Sequence, residues 1–308
     1  MVCNTILDAI GHTPMIKLNR LAPEDGAQIF VKYEGVNIGG SIKTRTAYNM
    51  LKRAREKGVI DENSIIVEPT SGNQGIGIAL VGAVMGYKVK IIMPDSVSEE
   101  RRKIIKNYGA EVILIHDDGD IGKCIADCIA LAQKMKNEDE KVFVPSQFDN
   151  PDNPKAHIYY TATEILEQVN CDIDGFCSGV GTGGTISGIG DVLKRQNPAI
   201  QIWAVEPANA AILSGGAVGT HLQMGIGDGL IPENLNTKIY DNICVISDKE
   251  AIETARRLAS EEGIMCGISS GSNVAAAIKL AKRLGKGKTV VTVLPDTGER
   301  YFSTELFD

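Results

Sequence analysis

A chain of 308 residues, 43% hydrophobic and 23% charged, is long enough to bury two cores. With 32 basic and 39 acidic side chains its net charge is −7, and no basic run is interleaved with aromatics, so neither nucleic acid nor an anionic membrane is expected as a partner. Seven cysteines, at 3, 124, 128, 171, 177, 244 and 266, are odd in number and scattered, which argues against a disulfide framework. Cys124 and Cys128 share a helix face but lack a nearby histidine or second pair; they read as core, and no metal is expected. The segment Met1-Val2-Cys3-Asn4-Thr5 carries no basic patch ahead of a signal-length apolar core, and no apolar run approaches membrane-spanning length. A soluble cytoplasmic protein is the expectation.

In chain order, the first informative stretch is Asn37-Ile38-Gly39-Gly40-Ser41-Ile42-Lys43-Thr44-Arg45. Gly39 and Gly40 permit a tight turn, and Ala47, Met50, Leu51 and Ala54 then recur at helical spacing until Gly58. Lys43 sits just inside that helix start, where the positive end of the helix dipole favours a neutral amine of the kind a Schiff-base lysine needs. Taken alone, the stretch reads first as the solvated start of a surface helix and only second as a chemical site. Strands are predicted at Ile65 to Val67, Lys88 to Met93 and Glu111 to Ile115, and helices at Gln74 to Met85 and Ser98 to Tyr108, with Ser98 as cap and Gly109 as stop. The polar stretch Gln133 to Lys141 reads as a surface connection. Further strands are predicted at Asp174 to Cys177, Gln201 to Val205, Ile243 to Ile246 and Thr289 to Leu294, with Ser247-Asp248-Lys249-Glu250 as a capping box before a helix from Ala251 to Glu262. The rhythm is that of parallel α/β structure in two lobes, without repeats or low-complexity segments.

Three loops of Gly, Ser and Thr each lead into a small-residue helix: Thr70-Ser71-Gly72-Asn73-Gln74-Gly75, Gly179-Val180-Gly181-Thr182-Gly183-Gly184-Thr185 and Gly267-Ile268-Ser269-Ser270-Gly271-Ser272. Each can present bare backbone N–H groups at a helix start, a geometry that suits a phosphate or a carboxylate, or each merely allows helix and strand to pack closely. The middle loop also spells G-x-G-x-x-G after a strand, with Glu206 at the end of the next, so an NAD-dependent oxidoreductase is a remote alternative. That reading leaves Lys43 and the other two loops without roles.

Five collinear stretches, Gly39-Gly40-Ser41-Ile42-Lys43, Glu68-Pro69-Thr70-Ser71-Gly72-Asn73, Gly179 to Thr185, Gly267 to Gly271 and Pro295-Asp296-Thr297-Gly298-Glu299-Arg300-Tyr301, resemble the cysteine synthase (O-acetylserine sulfhydrylase) and cystathionine β-synthase family of fold-type II pyridoxal phosphate enzymes. The resemblance spans nearly the whole chain and implies a two-lobed α/β fold, similar to the tryptophan synthase β chain. Each lobe would be a mostly parallel sheet flanked by helices: residues 1–40 and 147–308 as the larger cofactor-binding lobe, residues 41–146 as the smaller mobile one, and the active site in the interlobe cleft. It implies pyridoxal 5'-phosphate held by Lys43 as a Schiff base, with its phosphate on Gly181, Thr182, Gly183, Gly184 and Thr185, its ring hydroxyl on Asn73 and its pyridine nitrogen facing Ser269. Lys43 would also be the base for the α-proton. Thr70, Ser71, Gly72, Asn73 and Gln74, with Gln147, would bind the substrate carboxylate. A neutral Ser269 does not hold the ring nitrogen protonated, which suits β-replacement through an α-aminoacrylate rather than transamination.

The reaction so implied is cysteine synthesis from O-acetylserine and sulfide. Four departures qualify it: Thr44 where the family usually has Asp, Gln74 where it has Thr, Ile38 where it has Pro, and Asp228, in Gly225-Ile226-Gly227-Asp228-Gly229-Leu230, where cysteine synthases carry a small residue. Asp228 is either a solvated loop residue or a catalytic carboxylate that activates water or meets the amine of a second amino acid. In the second case cysteine itself is the donor, releasing hydrogen sulfide and forming serine or lanthionine. Dehydration of serine or threonine, and a non-catalytic regulatory binder, are more distant readings. The resemblance further implies a homodimer and a serine acetyltransferase as a possible partner. His157 and His12 are expected to be structural, His221 is open, and Met224 either flanks the substrate or packs.

Overall fold

The computed structural model describes residues 2–70, 72–119 and 121–308. In chain order the strands are β1 (Met15–Lys17), β2 (Gln28–Tyr33), β3 (Ile65–Pro69), β4 (Lys88–Pro94), β5 (Glu111–Ile115), β6 (Val142–Phe143), β7 (Gly175–Gly179), β8 (Gln201–Pro207), β9 (Asn242–Ile246) and β10 (Thr289–Leu294). The helices are α1 (Lys43–Glu56), α2 (Asn73–Met85), α3 (Glu99–Asn107), α4 (Ile121–Glu138), α5 (Asp152–Ala156), α6 (Ala162–Gln168), α7 (Gly184–Gln196), α8 (Asp248–Glu262) and α9 (Ile268–Leu284). Among the described residues no helix is long and apolar enough to cross a membrane.

The chain forms two compact units, Met1–Ile10 with Lys43–Asn153 and Gly11–Ile42 with Pro154–Asp308. In the smaller, the strand order is β5-β4-β3-β6 and every pairing is parallel. Central strands buried on both faces read as unbroken apolar runs, which is why Ile65 to Val67 and the Ile91 to Met93 end of the strand from Lys88 are legible. Val67 and Ile92 pack with Cys128, Ala132 and Val142, so α4 covers this face, and Cys124 and Cys128 are both buried. Helix α1 turns Ala47, Met50, Leu51 and Ala54 inward as its spacing predicts.

The larger unit orders its strands β1-β2-β10-β7-β8-β9, with β1 antiparallel to β2 and the rest parallel. One face is covered by a core in which Val274, Ala277 and Leu280 of α9 pack with Ala251, Ala255 and Leu258 of α8. On the other, Ile165 of α6 and Ile186, Ile189 and Leu193 of α7 pack with Phe176 and Ile202. A sheet with helices on both faces presents its loops at the carboxyl ends of the strands, where ligands of such folds bind.

Three local expectations change. Gln133 to Lys141 is not a connection: α4 runs through Glu138, with Met135 packed against the core beside Ala132 and Lys134 paired with Glu138 at 3.8 Å one turn on. Ser98 stands at the N-cap of α3, yet its hydroxyl accepts from Arg101 Nη1 at 3.2 Å rather than from the helix backbone. The edges of the units also differ from the predicted lobes. Residues 147–153 belong with the smaller unit because the side chains of Asn153 and Asn49 donate to the carbonyls of Gln147 and Asp152, at 2.7 and 2.6 Å.

Candidate active site

Lys43 stands where the chain passes from the larger unit into the smaller. Ahead of it, Gly39 and Gly40 both take the left-handed conformation, at φ 77° and 69°. This turn is fixed from several sides. Asn37 Oδ1 accepts the N–H groups of Gly11 and Ile38 at 3.0 and 2.9 Å, Arg300 donates to the Gly39 carbonyl, and Ile42 N–H donates to Pro295 O at 2.8 Å. Lys43 then opens α1, partly buried, and Thr44, Arg45 and Thr46 behind it are buried. A lysine at the first position of a helix that follows so constrained a turn has its backbone fixed at the positive end of the dipole, which suits a nucleophile and base.

The first glycine loop lies in the same unit. Strand β3 ends in Glu68-Pro69, Thr70 Oγ1 accepts the Gly72 N–H at 3.2 Å, and α2 begins at Asn73 with no capping side chain among the described residues. A helix start of this kind presents backbone N–H groups that suit a carboxylate. Ser71 lies outside the described residues. Gln74 is buried and joined to the lysine helix: the Thr46 hydroxyl is 2.9 Å from the Lys43 carbonyl and 2.9 Å from Gln74 Oε1, while Gln74 Nε2 has no partner among the described residues. Gln147 is also buried, on a turn whose Ser146 N–H reaches Glu68 at 3.2 Å. Burial pushes the Glu68 carboxyl up to about 8; the N–H groups of Gln147 and Ser146 oppose this and Asp149 adds to it. The smaller unit thus brings together Lys43, Thr70, Gly72, Asn73, Gln74 and Gln147.

The larger unit carries the second and third loops. After β7, Gly179 N–H donates to Asn273 Oδ1 at 2.7 Å and Val180 N–H to Val205 O at 3.0 Å. A Cβ on Gly181 would stand 2.3 Å from the Gly225 carbonyl, so only glycine fits. Gly183, at φ 77°, is the N-cap of α7, uncapped by any described side chain, and its backbone lies against that of Leu235. The result is a cradle of backbone N–H groups at Gly184 and beyond, flanked by the buried Thr182 and by Thr185. Such a cradle fits the phosphate of a cofactor. Ser269 is buried in the first turn of α9, behind Gly267, which no described side chain caps.

The Gly225 to Gly229 loop crosses the cradle, with Gly227 N–H on Val180 O at 2.9 Å. The half-buried Asp228 brings Oδ2 to 3.4 Å from where a Gly181 Cβ would be. His221 is structural: its Nε2 is 3.0 Å from Gly227 O, and its Nδ1 accepts the Gln223 N–H at 3.1 Å. Met224 is exposed. His157 is buried as expected, and its Nε2 also comes within 3.4 Å of Thr185 Oγ1, with Nδ1 3.0 Å from Thr161 Oγ1; no sequence pattern points to this support for the cradle. Glu206, which a dinucleotide reading needs for a ribose, is buried and accepts from Leu213 N–H at 2.8 Å and Ser214 N–H at 3.0 Å. It belongs to its own turn and is not offered to a ligand.

Comparison with known proteins agrees with this chemistry. The model of a family described as pyridoxal-phosphate-dependent enzymes matches residues 6–296. Cysteine synthase of Staphylococcus aureus is 48% identical over 305 residues, covering 99% of this chain and 97% of that one. Among solved structures, O-ureido-L-serine synthase superposes with a TM-score of 0.93 at 40% identity over 100% of this chain and 96% of that one. A hydrogen sulfide-producing enzyme of Fusobacterium nucleatum superposes with a TM-score of 0.91 at 42% identity, over 97% and 100% of the two chains.

Proposed function

The chain belongs to the pyridoxal-phosphate-dependent enzyme family, and from that membership we propose that it carries out β-replacement on a serine or cysteine derivative, with cysteine synthesis from O-acetylserine and sulfide as the first reading. The observation that carries it is the backbone cradle at Gly181 to Thr185, built where only glycine fits, in a chain that also opens a helix with Lys43. Gly181, Thr182, Gly183, Gly184 and Thr185 would hold the cofactor's phosphate, Lys43 would attach it, Asn73 would meet its ring hydroxyl and Ser269 its ring nitrogen. When bound, pyridoxal phosphate supplies an electron sink for charge developing at the substrate's α-carbon.

The chain's own residues do the rest. Thr70, Ser71, Gly72, Asn73 and Gln74, with Gln147, would take the amino acid's carboxylate at the start of α2, leaving the α-carbon oriented. Lys43 Nζ would accept the α-proton and return one at the end of the cycle. Ser269, a neutral hydroxyl, would leave the ring nitrogen unprotonated, favouring loss and replacement at the β-carbon. A cytoplasmic homodimer, with serine acetyltransferase as partner, accords with this reading.

A second reading is favoured by the Asp228 carboxylate facing the Gly181 cradle. A carboxylate there repels a sulfide anion, but takes a proton from water or pairs with the ammonium of an incoming amino acid. Cysteine would then be the donor, hydrogen sulfide the leaving group, and serine or lanthionine the product. Product analysis of the purified holoenzyme decides between them. O-Acetylserine with sulfide should yield cysteine on the first reading; cysteine alone should yield sulfide with serine or lanthionine on the second; an absence of both products overturns β-replacement.

A further inference from the structure

Glu68 has no part in the reactions above, yet it is wholly buried on β3, two residues before Thr70. Burying an acid is costly, and this one is retained in a strand otherwise apolar from Ile65 to Val67. Its Oε2 accepts the Ser146 N–H at 3.2 Å, the Gln147 N–H also donates to the carboxyl, and Oε1 has no partner among the described residues. Ser146 is held in the left-handed region at φ 56°, a conformation that a non-glycine residue keeps only where its surroundings over-determine it. Those surroundings are visible. The N–H groups of Asp149 and Asn150 donate back to Ser146 O at 3.2 and 2.9 Å, the Asn150 side chain donates to Pro145 O at 2.8 Å, and the Asn153 side chain to Gln147 O at 2.7 Å. The turn closes on itself with two N–H groups facing the strand, and Glu68 is what receives them.

We propose that Glu68 is a positioning residue that ties the Ser146–Gln147 turn to the strand carrying the Thr70 loop, so that both arms are set for the carboxylate of the amino-acid substrate. The inference rests on the reading that Thr70 to Gln74 and Gln147 bind that carboxylate. Burial keeps the acid neutral near pH 7, which suits neighbours that must receive an anion, since an ionised carboxylate there repels the substrate. A neutral carboxyl still offers a carbonyl oxygen to the two N–H groups, and so does a glutamine.

The test uses the holoenzyme with Glu68→Gln and Glu68→Met, two substitutions of similar bulk, only one of which keeps the acceptor. Glu68→Gln should stay within about twofold of the wild type in KM and kcat. Glu68→Met should raise KM for the amino acid about tenfold, the size of one lost hydrogen bond, with kcat and the colour of the bound cofactor retained. A KM for Glu68→Met equal to the wild type, a fall in kcat alone, or a Glu68→Gln that behaves like Glu68→Met overturns the inference. Should Glu68→Met fail to fold, Ser146→Gly, which fits the left-handed turn but loosens it, should raise KM at unchanged kcat, and an unchanged KM there overturns the inference equally. A wild type that turns over no amino acid overturns the functional reading and this inference with it; an active wild type matched by Glu68→Met overturns this inference alone.

Discussion

Two helix starts in this molecule are made of the same residue types and propped differently. Ahead of α7, the Gly179 to Gly184 loop is braced by backbone: the Gly225 carbonyl lies against Gly181, Leu235 lies against Gly183, and Gly227 N–H bonds Val180 O. Ahead of α2, the Thr70 to Gln74 loop is braced by side chains: the Thr70 hydroxyl on Gly72 N–H, Thr46 beside Gln74, and Glu68 on the Ser146 turn. Backbone packing leaves little freedom to rearrange, whereas side-chain hydrogen bonds can be remade at a cost of about 1 kcal/mol each. A ligand that stays bound between turnovers suits the first construction. One that enters and leaves in every cycle suits the second.

The largest effect should come from Lys43, which separates anchoring from cradling. Lys43→Ala should abolish turnover and the yellow colour of the lysine-bound cofactor, while thermal unfolding stays near the wild type and pyridoxal phosphate still binds reversibly through the Gly181 to Thr185 cradle. Absorbance spectra with and without added cofactor check this; a variant that keeps the colour contradicts it.

Next in size is Asp228, which asks whether the backbone-braced half only holds the cofactor. Asp228→Asn keeps the volume and removes the charge, so turnover of cysteine should fall by about a hundredfold to ten-thousandfold, the usual range for a lost proton acceptor, while cysteine formation from O-acetylserine and sulfide stays within a few-fold. Unchanged cysteine turnover, measured as sulfide release, reduces Asp228 to a loop residue and leaves plain cysteine synthesis as the better reading.

A smaller effect distinguishes the side-chain-braced half by its pH dependence. Glu68 is raised from an ordinary value of 4.5 to about 8 by burial, so between those values the unfolded chain loses a proton that the folded chain keeps. Stability owed to this group is full below about 4.5, falls as pH rises towards about 8 and is constant above, a total of roughly a few kcal/mol. Glu68→Gln should flatten that slope. Thermal unfolding of both proteins from pH 5 to pH 9 gives the comparison, and parallel slopes rule the assignment out.

The strands and the three loops could be read from the sequence because they depend on local patterns: apolar runs for buried parallel strands, and Gly, Ser and Thr before small-residue helices. Glu68 stands in plain view in Glu68-Pro69-Thr70, but its partner Ser146 is 78 residues away, and periodicity carries no such information. His157 was legible as a buried helix residue, while its approach to Thr185, 28 residues on, was not. Glu206 misled for the same reason: as the end of a strand it matched a dinucleotide pattern, and only the fold shows it engaged by Leu213 and Ser214. The length of α4 is hidden because its polar last turns carry the composition of a loop, while the packing of Met135 against the core is visible only in the fold.

The contrast between the two helix starts is tested most directly by amide hydrogen exchange, following the protein first with pyridoxal phosphate and then with an unreactive amino acid. The cofactor should protect residues 181–186, with residue 73 where Asn73 meets its ring hydroxyl, and leave residues 74–76 and 146–147 little changed; the amino acid should then protect those two segments and add nothing at 181–186. Protection by the amino acid at 181–186 with none at 74–76 would contradict the assignment of the α7 start to the cofactor and the α2 start to the substrate.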